Sequence, residues 1–296
     1  MQKHSKSYLR KTKKKIIIIG GLSNGKKIID YIIEKNKYKI ELLITYPKTK
    51  KPPRFINFNK YSNKFKIIYS INPERYIKKI NTINPDLIIV IGWSFIIKKG
   101  LLNLFKNKII GFHPSDLPKD RGRSVVAWQI EEGYSKMCVS LFHLNQKVDQ
   151  GDIIDKNFFK IYKNDYVNDI LSKIDQSCLK LIKKNLNKLI NQKALRIKQN
   201  NKNATYRNLR TYENSIIDWN SNSKTIINKI RAISKPYPGA IATINNTYYK
   251  IWKARLSNLK IKKNYVIGTI IKKQNSFIFV RCIDKIIILT SYEKIR

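Results

Sequence analysis

The sequence is short of acidic residues, cysteine and long apolar runs. Its 296 residues contain 19 Asp+Glu against 61 Lys+Arg, a net charge of +42, and three cysteines. Those cysteines, at 138, 178 and 282, are too scattered for a metal motif or a disulfide framework, which favours a reducing compartment. No apolar run approaches the ~20 residues of a membrane helix, and residues 16–19 are too few for a signal-peptide core. We therefore expect a folded cytoplasmic protein without membrane insertion.

The excess of positive charge is spread evenly along the chain. Residues 211–296 hold 16 Lys+Arg and 4 Asp+Glu, which leaves 45 and 15 for residues 1–210. A dedicated nucleic-acid-binding domain would be more basic than its neighbour, and this contrast is missing. Two interpretations stay open: an anionic partner such as RNA, or a composition rich in Ile, Lys and Asn, whose codons are AT-rich.

Short apolar runs alternate with helical patterns in the first part of the chain. Strands are predicted at residues 15–19, 39–46, 65–69, 86–91 and 108–111, and helices at 26–35, 73–80 and 96–105. Continuously apolar strands between helices predict a doubly wound, mostly parallel α/β sheet that is covered on both faces.

The rest of the chain predicts an antiparallel strand pair, a long helix and a small β-rich domain. Strands at 138–143 and 152–159 flank a turn, Ser124 is expected to cap a helix at 125–132, and an amphipathic helix covers 165–190. A helix at 224–233 precedes five short strands at 240–244, 248–256, 265–271, 277–281 and 285–289, typical of a small barrel. The predicted division is a domain at 1–195, a polar linker at 196–210 and a C-terminal domain at 211–296.

A glycine-rich turn at residues 20–25 follows the first strand and precedes a helix. Backbone amides in that position can bind a phosphate. The spacing matches neither the dinucleotide-binding fingerprint nor a P-loop, which argues against a nicotinamide oxidoreductase. The simpler interpretation is a tight strand-to-helix turn.

The loop at residues 111–123 is the most informative segment. It follows a predicted parallel strand, where open α/β sheets place ligand sites, and it carries His113 and Arg121-Gly122-Arg123. His113 can act as an acid or a base near neutral pH. The carboxylate of Asp149 would orient the His113 ring and stabilise its protonated form. His143, on an apolar strand, is expected to be a core residue, and no ligand spacing indicates a metal site.

Around His113 the sequence resembles the folate-dependent formyltransferases, the family of methionyl-tRNA formyltransferase and the sugar-nucleotide N-formyltransferases. The similar motifs are His113-x-Ser115-x-Leu117-Pro118, Arg121-Gly122 and, 36 residues after the histidine, Asp149-x-Gly151-Asp152. Residues 85–95 resemble the strand and loop that border the folate pocket. Ile217-Asp218-Trp219 and Pro236-Tyr237-Pro238-Gly239 resemble the C-terminal domain. The resemblance extends over nearly the whole chain.

The resemblance implies a doubly wound catalytic domain followed by an OB-like barrel. It implies transfer of a formyl group from 10-formyltetrahydrofolate to a primary amine, without a metal. His113 would stabilise the oxyanion or shuttle a proton, and Asp149 would orient His113. The folate contacts that it implies are Trp93, Ser94, Phe95, Ile97, Lys147 and Val148.

One position departs from the family pattern. The family has an Asn two residues before the histidine, which donates a hydrogen bond to the formyl oxygen, whereas this chain has Gly111. Losing one oxyanion donor costs about 10²- to 10³-fold in rate. We expect backbone amides near Gly111, Ser115 or Arg123 to substitute, with Arg121 as a further substrate contact. The alternative is a catalytically impaired relative that binds a ligand or RNA.

The acceptor amine stays open at this point. The first turn, at residues 20–23, departs from that of the tRNA enzymes, and the basic stretch at 47–64 is short. These differences favour an amine on a nucleotide-linked sugar, with initiator methionyl-tRNA as the alternative. The sequence does not indicate the oligomeric state.

Overall fold

The computed structural model describes residues 13–295, which divide into two compact units. Among the described residues, the first unit comprises 13–51, Phe55–Gly111 and Asn185–Ala194. The second comprises Pro52–Arg54, Phe112–Lys184 and 195–295. The predicted domain bounds at residues 195 and 211 rest on the sequence alone. They stay a prediction.

The strands and helices follow one another in an order close to the predicted one. The strands are β1 (Lys15–Gly20), β2 (Lys39–Thr45), β3 (Lys66–Tyr69), β4 (Leu87–Ile91), β5 (Ile109–His113), β6 (Arg121–Gly122), β7 (Lys136–His143), β8 (Ile153–Lys160), β9 (Tyr206–Arg207), β10 (Ala240–Ile244), β11 (Thr247–Leu256), β12 (Ile270–Gln274), β13 (Phe277–Arg281) and β14 (Ile286–Ile295). The α-helices are α1 (Ser23–Lys35), α2 (Ile77–Ile83), α3 (Lys99–Leu104), α4 (Val125–Glu131), α5 (Val167–Ile190) and α6 (Ser223–Ile233).

The larger sheet is mixed and mostly parallel, as predicted. Its strand order is β3-β2-β1-β4-β5-β7-β8, in which β1 to β5 are parallel and β7 pairs antiparallel with β8. The four isoleucines of β1 at 16–19 are fully buried because helices and loops cover both faces of a parallel sheet. The order reverses between β1 and β4, and ligands of open α/β sheets bind beyond the carboxyl ends of strands at such a switch point.

The glycine-rich turn after β1 is a packing device. A Cβ atom on Gly20 would lie 1.9 Å from the carbonyl oxygen of Ile91, and one on Gly21 would lie 2.4 Å from the ring of Tyr46. Helix α1 starts at Ser23, three residues earlier than predicted, directly after this close approach. The contacts support a tight strand-to-helix turn rather than a phosphate site.

The C-terminal part of the second unit forms an antiparallel five-stranded sheet in the order β10-β11-β14-β13-β12.

Two elements begin later in the structure than the sequence predicted. Residues 265–269 precede β12 rather than form its first half, because Gly268 has a φ of +76° and its amide bonds the carbonyl of Arg281. Helix α3 begins at Lys99, not at residue 96.

Ser124 precedes α4 but does not cap it as predicted. It has a φ of +54°, and its hydroxyl accepts a hydrogen bond from the amide of Arg210 at 3.1 Å. The residues predicted as a linker are likewise held by this unit: β6 pairs with β9, and Ile153 bridges to Ile197. Within residues 13–295, no helix is long and apolar enough to cross a membrane.

Candidate active site

Strand β5 ends at His113, whose ring is buried beneath the loop that follows. The side chain is 8% exposed. Its Nε2 lies 2.7 Å from the carbonyl oxygen of Asp120. Because a carbonyl oxygen only accepts hydrogen bonds, Nε2 must carry the proton in this arrangement. The other ring nitrogen, Nδ1, is left to face a different group.

That group is the carboxylate of Asp149, in the turn between β7 and β8. Its Oδ2 lies 3.6 Å from His113 Nδ1 and accepts a hydrogen bond from the Gly122 amide at 2.9 Å. The turn closes tightly, since a Cβ atom on Gly151 would lie 1.6 Å from the carbonyl oxygen of His143. The structure thus brings together the histidine and the aspartate that the sequence singled out. When His113 is protonated, the carboxylate faces its positive charge.

The polar side chains of the loop differ sharply in their availability. Ser115 is fully buried, and its hydroxyl donates to the carbonyl oxygen of Lys119 at 2.6 Å. Arg121 is also fully buried, and its guanidinium donates to Gln199, Asn201 and Tyr206. Both are therefore engaged in holding the loop. Arg123 is exposed, and its guanidinium contacts no carboxylate within the described residues.

Gly111 lies two residues before His113 on β5. It is buried and sits opposite Val90 of β4. A glycine there contributes backbone groups only, so the side-chain donor that the family places at this position is missing.

The first unit carries the other predicted residues in an aromatic cluster beyond the ends of β2 and β4. Trp93 lies 4.7 Å from Tyr46 and 5.6 Å from Phe95 between ring centroids. The Ser94 amide donates to the Tyr46 hydroxyl at 2.8 Å, and Ile97 is buried. Tyr46 was not among the predicted site residues, although its place at the end of a parallel strand could have indicated it.

The cluster suits a flat aromatic ligand. Phe95 is 37% exposed, and the indole Nε1 of Trp93 is buried without a partner in the described residues. An unpaired buried donor costs about 1–3 kcal/mol unless a ligand or water accepts its hydrogen bond. Burial raises the pKa of Tyr46, and its neutral phenol donates to the Gly92 carbonyl oxygen at 3.1 Å. These groups fit a folate ring system through stacking and one donated hydrogen bond.

The remaining candidates lie in the second unit. Lys147 and Val148 are exposed residues of the loop that precedes Asp149, and Val148 is 54% exposed. His143 is buried on β7, as predicted, and burial followed by the charge of Arg196 lowers its pKa to about 4. All three cysteines are buried free thiols, and no cluster of metal-binding side chains exists in residues 13–295.

The sequence as a whole matches known protein families in two segments. The family described as formyl transferase matches residues 14–186, and its C-terminal domain family matches residues 210–295. The chain belongs to the formyltransferase family. Members of this family are folate-dependent one-carbon transferases.

Individual formyltransferases are similar over two thirds of this chain or more. The methionyl-tRNA formyltransferase of Mycoplasma capricolum is 28% identical over 287 residues, covering 95% of this chain and 90% of that protein. The methionyl-tRNA formyltransferase of Rickettsia felis is 31% identical over 202 residues, or 68% of this chain and 65% of that protein.

Solved formyltransferase structures share the fold. An N-formyltransferase from Helicobacter canadensis, in complex with folinic acid and dTDP-3-aminofucose, has a TM-score of 0.72 and 26% identity, covering 95% of this chain and all of that one. The methionyl-tRNA formyltransferase from Clostridium thermocellum has a TM-score of 0.64 at 23% identity, covering 96% of this chain and 99% of that one.

Proposed function

We propose that this formyltransferase moves a formyl group from 10-formyltetrahydrofolate to a primary amine, with His113 and Asp149 as its catalytic residues. The observation that carries the proposal is the pair formed by buried His113 and half-buried Asp149, with Nδ1 and Oδ2 3.6 Å apart. A ligand-binding relative that had lost catalysis would not need a carboxylate held against this histidine. Long separations of this kind are common in catalytic groups before substrate binds.

His113 can take the proton that the amine must lose. In the neutral ring with Nε2 protonated, Nδ1 is the basic atom, and the bond from Nε2 to Asp120 fixes that tautomer. Protonation at Nδ1 produces a cation beside the Asp149 carboxylate, which offsets its charge. A positioned acid–base group of this kind contributes about 10²- to 10⁴-fold in rate.

Arg123 is the side chain that supports the formyl oxygen in place of the absent asparagine. Ser115 and Arg121, the other two side chains of the loop that were considered, are buried and engaged. Arg123, two residues from buried Arg121, keeps an exposed guanidinium that contacts no carboxylate in residues 13–295. A cationic donor can stabilise the negative charge that develops on the oxygen.

The first unit would hold the donor's flat ring system. Trp93 supplies an unpaired indole N–H, and Phe95 an exposed ring. Binding of folinic acid by calorimetry tests this assignment without any turnover. We expect Trp93→Phe to weaken binding about tenfold, since it removes one hydrogen bond and keeps the ring. Unchanged affinity would contradict the assignment.

Two acceptors have support. A nucleotide-linked amino sugar is supported by the likeness to the Helicobacter canadensis enzyme, whose structure contains dTDP-3-aminofucose. Initiator methionyl-tRNA is supported by the Mycoplasma capricolum enzyme, whose similarity includes the C-terminal region. The net charge of +42 suits either phosphate-bearing acceptor.

One experiment tests the function and separates the acceptors. The protein is incubated with 10-formyltetrahydrofolate and, in parallel, with dTDP-3-aminofucose or initiator methionyl-tRNA, and the products are analysed for formylation by mass spectrometry. We expect one acceptor to be formylated by the wild type. Formylation of neither, while folinic acid still binds, would contradict formyl transfer to these amines and favour a binding protein.

A further inference from the structure

Polar residues between Gln199 and Arg207 contact both residues that face the His113 ring, Asp149 and Asp120. They lie in the stretch that the sequence predicted as a linker. Gln199 donates from its Nε2 to the carbonyl oxygens of Asp149 at 2.9 Å and of Gly151 at 2.7 Å. Its Oε1 accepts from buried Arg121 at 2.7 Å. One side chain therefore joins the Asp149 turn to the loop that follows His113.

The same stretch also holds Asp120 and the residue that follows it. The Asp120 amide donates to the Thr205 hydroxyl at 2.8 Å, and Arg207 Nε donates to the Asp120 carboxylate at 2.6 Å. The next amide, that of Arg121, donates to the Thr205 carbonyl at 2.9 Å. The carbonyl of Asp120 is the group that accepts from His113 Nε2. Asp120 is itself almost fully buried, so these contacts are shielded from water.

Both aspartates have backbones that need such support. Asp120 has a φ of +53° and Asp149 a φ of +54°, in the left-handed region that residues with a side chain adopt only with backbone strain. Strained residues keep one conformation only when their surroundings determine it. Here the surroundings include the hydrogen bonds that Gln199 and Arg207 donate and the Thr205 hydroxyl, which accepts from the Asp120 amide.

We propose that Gln199 and Thr205 are positioning residues: Gln199 fixes Asp149 against Nδ1 of His113, and Thr205 fixes Asp120 against Nε2. The inference rests on the proposed function for its effect on rate, and on the geometry alone for its effect on the His113 ring. A misplacement of a reacting group by about 1 Å can cost on the order of 100-fold in rate.

Two substitutions separate positioning from folding. Gln199→Glu keeps an oxygen to accept from Arg121 but removes both donations to the carbonyls of Asp149 and Gly151. Thr205→Val keeps the shape and removes the acceptor of the Asp120 amide. Gln274→Leu, at an exposed glutamine of β12, serves as the control for a change of glutamine.

The measurements are thermal unfolding, the ¹⁵N signals of the His113 ring by NMR, and kcat and KM for formyl transfer. We expect Gln199→Glu to stay folded, to shift the Nδ1 signal, and to lower kcat about 10- to 100-fold with KM for the donor within about twofold. Thr205→Val should shift the Nε2 signal and lower kcat less. Gln274→Leu should match the wild type in all three measurements.

The outcomes distinguish this inference from the proposed function. A folded Gln199→Glu variant with an unmoved His113 signal overturns the positioning role, whatever the activity. A shifted signal in a protein whose wild type formylates no amine keeps the positioning role and overturns the proposed function. If Gln199→Glu does not fold, the Thr205→Val variant decides, and an unmoved Nε2 signal in it overturns the inference.

Discussion

At the scale of single residues, His143 makes stability depend on pH. Burial lowers its pKa to about 4, whereas an unfolded histidine titrates near 6.5. Between these values the unfolded state binds more protons than the folded state. Stability is therefore complete above pH 6.5 and falls by about 1.4 kcal/mol per pH unit toward pH 4.

We expect urea unfolding to show this loss between pH 6.5 and 4.5 in the wild type. The variant His143→Gln cannot be protonated, so its free energy of unfolding should depend less steeply on pH across the same range, although its stability at pH 7.5 will be lower. Equal slopes for the two proteins would show that His143 is not buried in its neutral form.

Because the asparagine before His113 is absent, the proposed function assigns the stabilisation of the formyl oxygen to Arg123. Its replacement by leucine should lower kcat about 10²- to 10³-fold and leave KM for the donor nearly unchanged, because the contact develops with the charge on the formyl oxygen. Arg75→Leu, at an exposed arginine of the first unit, is the control. Equal kcat values for the two variants would contradict this role of Arg123. They would favour backbone amides near Gly111 as the oxyanion donor.

At the scale of elements, the turn between β7 and β8 depends on one glycine. Gly151→Ala would force a Cβ atom to within 1.6 Å of the His143 carbonyl oxygen, so the turn that presents Asp149 must move. We expect a loss of about 3 kcal/mol in the free energy of unfolding and a fall in kcat of about 100-fold. Urea unfolding and steady-state kinetics provide the two measurements.

Gly25→Ala provides the matched control, because its Cβ atom would meet Ile91 at an ordinary 3.5 Å within helix α1. Alanine is the better helix former, so this variant should gain about 0.5–1 kcal/mol. A Gly151→Ala protein as stable and active as Gly25→Ala would contradict the described turn.

The sequence predicted most elements because their patterns are local. The isoleucine run of β1 and the amphipathic pattern of α5 determined their types and, within a few residues, their bounds. The elements that were misjudged depend on distant contacts: Ser124 binds the amide of Arg210, and the residues before β12 follow the bond between Gly268 and Arg281. The helix or strand propensity of one residue does not reveal a distant hydrogen-bond partner such as Arg210 or Arg281.

Some features of the candidate site could likewise be predicted from the sequence, and others could not. The loop motif and the family resemblance predicted that His113 and Asp149 act together, and the structure places their side chains 3.6 Å apart. The difference between Arg121, fully buried, and Arg123, exposed, could not be read from Arg-Gly-Arg. Gln199 was also missed, since a glutamine in a polar stretch looks like a surface residue until its three partners are known.

At the scale of the whole molecule, the charge of +42 predicts general attraction to polyanions. Binding to an RNA that is not an acceptor should weaken steeply with salt, by about 10³- to 10⁵-fold between 50 and 200 mM if six to ten phosphates are contacted. Filter binding across this range measures the slope. Formyl transfer to the true acceptor should persist at 200 mM salt. Tight RNA binding at that concentration, without turnover, would favour the RNA-binding alternative.

The proposed function requires His113 and Asp149 to perform formyl transfer as a pair. The most direct measurement is kcat for Asp149→Asn with the accepted amine, beside Asp152→Asn, which alters a surface ion pair in the same turn. We expect kcat to fall about 10²- to 10⁴-fold for Asp149→Asn in a folded protein, and to change little for Asp152→Asn. Equal activity of the two variants would contradict it.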